Sequence, residues 1–283
     1  RDCLLSRGLG DVYKRQPMQI APDKAVNAHL FPYVKCYWNR CSFCGINQKY
    51  HFENPAKAYA SIHQQLDGLK KAIGTAQYVW FIDEALPPDA LGEIAAYFTQ
   101  RMPGIIWQAR CRIEPALLAG ELPEALARSG LRELRLGLES GSAPVLKKMN
   151  KFDDSFSFVL VEEICKRYTA CGISIHFPII IGFPGETDSD RHATYDLLRL
   201  LTGKYPAVTF NINLFGLDIG SRVFQHWYDF DIQSISFPCE PSHYLGNILR
   251  WEDASTDFRL LMRERDQFMR EFLYPWMPAH ALT

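Results

Sequence analysis

Along this chain, apolar runs of five to nine residues alternate with longer stretches in which apolar positions recur every three or four. The first pattern suits a buried strand and the second an amphipathic helix. The expected strands are His29–Lys35, Tyr78–Ile82, Ile105–Arg112, Glu133–Leu138, Ser174–Ile181 and Ala207–Phe215. Between them, Asn54 is expected to cap a helix beginning at Pro55 whose stripe is Tyr59, Ile62, Leu66 and Leu69. Pro88 opens a helix to Phe98, Pro115–Ser129 is a helix closed by Gly130, and helical stretches reach Cys171 with Gly172 as the stop. Asp188–Leu201 is the next helix.

Repeated strand–helix alternation specifies a parallel sheet with helices outside it. Six units fall short of an eight-fold closed barrel, so the expected fold is α/β, a partial (β/α)6 TIM-like barrel. After Gly220 the pattern is less legible, aromatic and proline-containing to Trp251. A helix over Thr256–Leu273 follows, with Phe258, Leu261, Phe268 and Phe272 on one stripe, and is expected to pack on the barrel. The organisation read from this is a core at 17–221 and a C-terminal extension at 222–283. Residues 1–16, RDCLLSRGLGDVYKRQ, resemble translated sequencing-adapter read-through and are set aside, Cys3 with them.

Composition changes this picture little. A formal net charge of −1 gives no electrostatic footprint for nucleic acid or an anionic membrane, and 47% hydrophobic residues suffice for a sizeable core. No apolar run is long enough for a membrane span. Eight cysteines without a regular framework point to a reducing, cytoplasmic setting and to thiolate metal chemistry.

In barrels of this type the C-terminal strand ends form the active-site mouth. Here they carry Cys36, Cys41 and Cys44, then Asp83-Glu84, Arg110 and Arg112, Glu139-Ser140, Gly182 through Thr187, and Phe215. The cysteine spacing C-x4-C-x2-C places three thiols in one loop. Three thiolates hold three corners of a cubic 4Fe–4S cluster and leave the fourth iron open to a small molecule. Structural zinc would need a fourth ligand, for which His51 is the candidate, and no finger-like second pair follows. A fully ligated ferredoxin cluster would need a fourth cysteine, yet Cys111, Cys165, Cys171 and Cys239 are scattered. Three buried structural thiols are the remaining alternative.

CYWNRCSFC, with FIDEAL on strand two, RLGLESGS on strand four and IIIGFPGET on strand five, resembles the radical S-adenosylmethionine (SAM) superfamily across residues 29 to about 221. The first gap of the cysteine loop is one residue longer than the usual C-x3-C-x2-C. The loop looks like that of the branch that often carries an N-terminal cobalamin-binding domain; there is no room for one before residue 29, so the expectation is either that it was lost by truncation, with cobalamin bound by that absent domain, or that the protein works without it.

The resemblance implies a 4Fe–4S cluster on Cys36, Cys41 and Cys44, with the amine and carboxylate of SAM on the open iron. One electron then yields methionine and a 5′-deoxyadenosyl radical, which takes a hydrogen atom from substrate. Asp83 and Glu84 would meet the SAM amine, Arg112 its carboxylate, and Glu139 or Ser140 the ribose or amino-acid moiety. Gly182 would let backbone approach adenine, which Phe43 and Phe215 would also contact. Each position has a plainer reading: Asp83-Glu84 as a helix cap, Phe215 as core, Arg112 in a structural ion pair, His176 and His192 simply packed.

The favoured activity is a cobalamin-dependent methylase or related radical transferase. It would take a small-molecule or peptide substrate and an electron donor such as flavodoxin or ferredoxin. A cluster-binding scaffold and an electron-transfer protein are the alternatives; the carboxylates Asp83, Glu84 and Glu139 favour the enzyme.

Overall fold

The computed structural model describes residues 25–28, 36–46, 56–73, 77–237, 248–253 and 256–273. Six parallel strands form one sheet in chain order: β1 (Ala25–Ala28), β2 (Tyr78–Phe81), β3 (Ile106–Cys111), β4 (Leu131–Leu136), β5 (Ser174–Ile181) and β6 (Val208–Leu214). Parallel neighbours need crossovers. These are α1 (Ala56–Ala72), α2 (Pro88–Arg101), α3 (Leu122–Arg128), α4 (Ala143–Lys148) with α5 (Phe158–Ala170), and α6 (Asp188–Lys204). Among the described residues β1 and β6 form no ladder with each other. This is the expected α/β architecture, six strands of a barrel rather than eight.

The strand expected at 29–35 lies outside the described residues, as do the Asn54–Pro55 cap and the side chain of Tyr59. The first described strand, β1, sits just upstream and pairs Ala25 with Tyr78. The helix expected over Pro115–Ser129 is broken into a 3-10 turn at Pro115–Leu118 and α3. Ala119 is extended, Gly120 has φ +51, and Pro123 sits at the start of α3. A left-handed glycine followed by a proline at a helix start reads as stop and restart. Gly172, at φ +77, ends α5 as expected.

Strand alternation sorts the side chains. One face of β3 to β5 presents Trp107, Ala109, Cys111, Leu134, Leu136, Ile175, Phe177, Ile179 and Ile181 to the main core. The other face presents Arg110, Arg135, His176 and Pro178 to a cavity, joined there by Asn211 and Asn213 of β6.

Beyond β6 the chain builds a cover. Strands β7 (Leu217–Asp218), β8 (Ser234–Ser236) and β9 (Ile248–Glu252) form a small antiparallel sheet in the order β7-β9-β8, with α7 (Arg222–Gln225) between β7 and β8. Phe183, Phe215, Val223 and Trp251 fill a second core beneath it. The last helix, α8 (Phe258–Leu273), packs on the barrel through Leu261 and Phe268, as its stripe predicts. Phe268 stacks on Tyr195 at 4.3 Å, and Arg191–Glu264 and Arg199–Glu271 pair α6 with α8.

Candidate active site

The cysteine loop is held from two sides. Toward the end of α4, Ser42 N donates to Met149 O at 2.8 Å and Ser42 Oγ to Lys148 O at 2.9 Å. Trp38 Nε1 donates to Asn150 O at 3.0 Å, and Asn150 Nδ2 returns a bond to Arg40 O at 2.9 Å. On the other side, Val223 N donates to Ser42 O at 2.9 Å. Gly45 presses against the turn after β7, where any Cβ would stand 2.0 Å from Asp218 Oδ1.

Cys36, Cys41 and Cys44 are free thiols, and all three line one cavity of about 350 Å³. Burial pushes the Cys44 thiol up to about 12, opposed by a backbone N–H at Ile46. Burial also raises Cys41, against the pull of Lys151. Any metal bound through these thiols would displace their protons. Among the described residues no three His, Cys, Asp or Glu side chains close on a single metal ion.

The opposite wall is made by strand ends. Arg112 is buried, lies 3.9 Å from the Trp38 ring centroid, and donates through Nη2 to Lys151 O at 3.0 Å. Its Nε lies 3.3 Å from Glu114 Oε1, and Tyr37 OH donates to the same carboxylate. Arg112 Nη1 is buried with no hydrogen-bond partner. Glu139, at φ +69 where β4 ends, accepts from Lys151 Nζ at 2.8 Å. Burial alone would pull Lys151 down, but Glu139 and Cys41 outweigh it and hold the ammonium above its ordinary value. Gly137 leaves space between them: a Cβ there would lie 2.5 Å from Lys151 Nζ and 2.7 Å from Glu139 Oε1.

Of the residues expected at the mouth, Phe43, Glu84, Arg112 and Glu139 join the three cysteines in the cavity wall, and Asp83, Ser140, Gly182 and Phe215 do not. Asp83 is fully buried. Ser140 Oγ lies 3.2 Å from Thr194 Oγ1 and accepts from Ser142 N, so it ties the β4 turn to α6. Gly182 has φ +74 and faces α8, where a Cβ would meet Leu261 Cδ1 at 2.6 Å. Phe215 packs on Phe183 and Trp251 in the second core.

Lys151, Tyr37, Trp38 and Asn211 were not singled out from the sequence. Lys151 reads there as one more basic residue after Lys147 and Lys148, and only folding shows its partner. His176 is hydrogen-bonded on both ring nitrogens, to Thr209 Oγ1 at 2.9 Å and Asn211 Oδ1 at 2.8 Å. Burial lowers its pKa and keeps it neutral. His192 is exposed on α6, bonded to Asp188 O.

The family model of the radical SAM superfamily matches residues 31–198, more than half of the chain. The chain belongs to the radical SAM superfamily. It is a radical SAM enzyme, and its cofactors are those of that family, a 4Fe–4S cluster and SAM. The ribosomal protein uS12 methylthiotransferase RimO of Thermosipho africanus is 33% identical over 102 residues, covering 35% of this chain and 23% of that protein. The threonylcarbamoyladenosine tRNA methylthiotransferase MtaB of Bacillus subtilis is 25% identical over 168 residues, covering 57% of this chain and 37% of that protein. The chain thus spans under two-fifths of these relatives.

Among solved structures, the cobalamin-dependent radical SAM enzyme OxsB with aqua-cobalamin bound has a TM-score of 0.58 at 14% identity, over 81% of this chain and 39% of that one. Coproporphyrinogen III oxidase HemN of Escherichia coli, a radical SAM enzyme, has a TM-score of 0.51 at 11% identity, over 85% and 57%. These likenesses concern the radical SAM fold. Among the described residues no helix is long and apolar enough to cross a membrane.

Proposed function

We propose that Cys36, Cys41 and Cys44 hold the 4Fe–4S cluster with one iron left to SAM, and that the chain cleaves SAM reductively to start radical chemistry on a substrate. One observation carries this reading: the three free thiols share a cavity with Arg112, whose buried Nη1 has no partner. A buried guanidinium nitrogen without a partner is costly unless a ligand completes it. The donor set fits both cofactors: thiols for iron, and a guanidinium edge for a carboxylate.

When bound, the reduced cluster supplies the electron that opens SAM to methionine and a 5′-deoxyadenosyl radical. The protein residues do the positioning. Arg112, stiffened by the Trp38 ring and by Glu114, orients the SAM carboxylate. Glu139, with Lys151 balancing its charge, and Glu84 accept hydrogen bonds from the amine and from hydroxyls. Phe43, between Cys41 and Cys44 in the chain, adds an apolar ring to the wall of the same cavity. Residues 17–221 are the core domain of this reading and 222–283 its C-terminal extension. The electron for a cluster held there would come from a donor such as flavodoxin or ferredoxin.

The outcome we favour is radical transfer of a methyl or related group; the relatives, named as methylthiotransferases, support a group transfer of this general kind. Cobalamin, bound in the OxsB neighbour, would enter through a domain other than the one described. The test is anaerobic reconstitution with iron and sulfide, addition of dithionite and SAM, and mass spectrometry of 5′-deoxyadenosine and S-adenosylhomocysteine, with Cys44→Ala as control. 5′-Deoxyadenosine that disappears in the control supports the reading, and S-adenosylhomocysteine in addition supports a methylase. A cluster-loaded protein that leaves SAM intact sinks it.

A further inference from the structure

The register of the sheet puts a row of polar side chains across the cavity. Arg110 on β3 is the Cα partner of Arg135 on β4, and Arg135 is the partner of His176 on β5. All three line the cavity, nearer the strand starts than Arg112, Gly137 and Pro178. Parallel neighbours lie about 4.8 Å apart, so the two arginine stems rise side by side.

Like charges so placed repel each other. Their carboxylate contacts offset this only in part. Glu133 Oε1 takes Arg135 Nε at 2.7 Å, while Glu84 stands 3.9 Å from Arg110 Nη1, beyond hydrogen-bond reach. The arginine side chains keep 41% and 31% of their exposure, although they stand inside a barrel. Beside them stand the neutral His176 and the amides of Asn211 and Asn213. An α/β barrel interior is ordinarily filled by branched apolar residues. Neither anchoring of the cysteine loop nor the SAM contacts assigned above use this row.

We infer that Arg110 and Arg135 form the substrate floor of the cavity and jointly grip an oxyanion, a carboxylate or phosphate, carried by the substrate. His176 and the two asparagines then supply hydrogen bonds to neutral polar groups next to that anion. This rests on the assignment above, which leaves the cluster and SAM to the cysteine loop, Arg112 and Glu139.

The test uses reconstituted protein loaded with SAM and kept unreduced, so that the SAM site is filled. Inorganic phosphate and acetate are titrated separately by calorimetry. We expect saturable binding of at least one anion, weakened about tenfold or more in Arg110→Gln and in Arg135→Gln. Cluster absorbance and melting temperature should match the wild type. Phosphate alone would mark a phosphorylated substrate, and acetate alone a carboxylate. Arg135→Gln leaves Glu133 without its partner, so Arg110→Gln decides the matter if the other variant fails to fold. No saturable binding of either anion, or equal binding by the variants, overturns the inference. A wild-type protein that assembles no cluster and makes no 5′-deoxyadenosine would instead sink the cofactor assignment, a separate result.

Discussion

Lys151 donates from Nζ to Glu139 Oε1 at 2.8 Å, with each side chain only 9% exposed. A buried pair of this kind is expensive to break from one side, because the remaining charge stays desolvated. Lys151→Met should therefore cost about 3–5 kcal/mol in urea unfolding. The double variant Lys151→Met, Glu139→Gln should lose less than Lys151→Met alone. A single variant within about 0.5 kcal/mol of wild type would mean that water already reaches the pair.

Single replacement of Cys36, Cys41 or Cys44 by Ala should strip iron and the roughly 400 nm absorbance of the cluster. Cys165→Ala should leave both unchanged, because Cys165 is on the buried face of α5 in the main core and is not part of the cavity wall. Iron analysis decides it: full iron in all three loop variants would place the cluster elsewhere.

Arg112→Lys keeps the charge but loses the planar fork and its stacking on Trp38. SAM affinity, read by equilibrium dialysis, should fall about tenfold or more while iron content holds. Unchanged affinity would show that another group takes the SAM carboxylate.

Glu186 gives a pH signature. Its Oε2 accepts from Gly182 N, and its Oε1 is buried without a partner. Burial pushes the carboxyl up to about 7, against the Gly182 N–H and Arg191, from an ordinary value of 4.5. The folded state thus holds this proton more tightly than the unfolded chain. That stabilisation is complete below about 4.5 and is lost as pH rises through about 7. Glu186→Gln should match wild type near the acid end of that window and exceed it by about 2–3 kcal/mol above it. Parallel denaturation curves across the window would rule this out.

Gly45→Ala sets a methyl against the Asp218 carboxylate, which itself receives Gly220 N at 2.7 Å. Overpacking of this sort costs about 1–3 kcal/mol. The cluster should become more labile to chelators, with little change in the melting of the sheet. If the half-life with chelator is unaltered, the turn after β7 gives way freely and does not brace the loop.

Strands β2 to β6 were legible because their alternation with helices is regular: Ser174–Ile181 is β5 residue for residue. The cysteine loop was legible because its spacing is local. Pro115–Ser129 misled because leucines at helical intervals outweighed Gly120 and Pro123, the two residues that break it. Lys151 stayed hidden because its meaning lies in a partner across the cavity. Ser140 and Gly182 sit in the right motifs, yet one hydroxyl turns to Thr194 and one backbone makes room for Leu261. Motif position fixes where a residue stands on the chain, whereas long-range packing fixes which way it points. The small sheet after β6 could not be read because its strands are short and pair across a long connection.

The bond from Val223 N to Ser42 O joins residues 181 positions apart, by subtraction of their numbers. During synthesis at about 5–20 residues per second, the cysteine loop leaves the ribosome roughly 10–40 s before its brace exists. For much of that interval only the α4 side of the brace, at Lys148, Met149 and Asn150, is there to hold the loop. On the assignment proposed above, the cluster site is therefore fully braced only after residue 223 has been made.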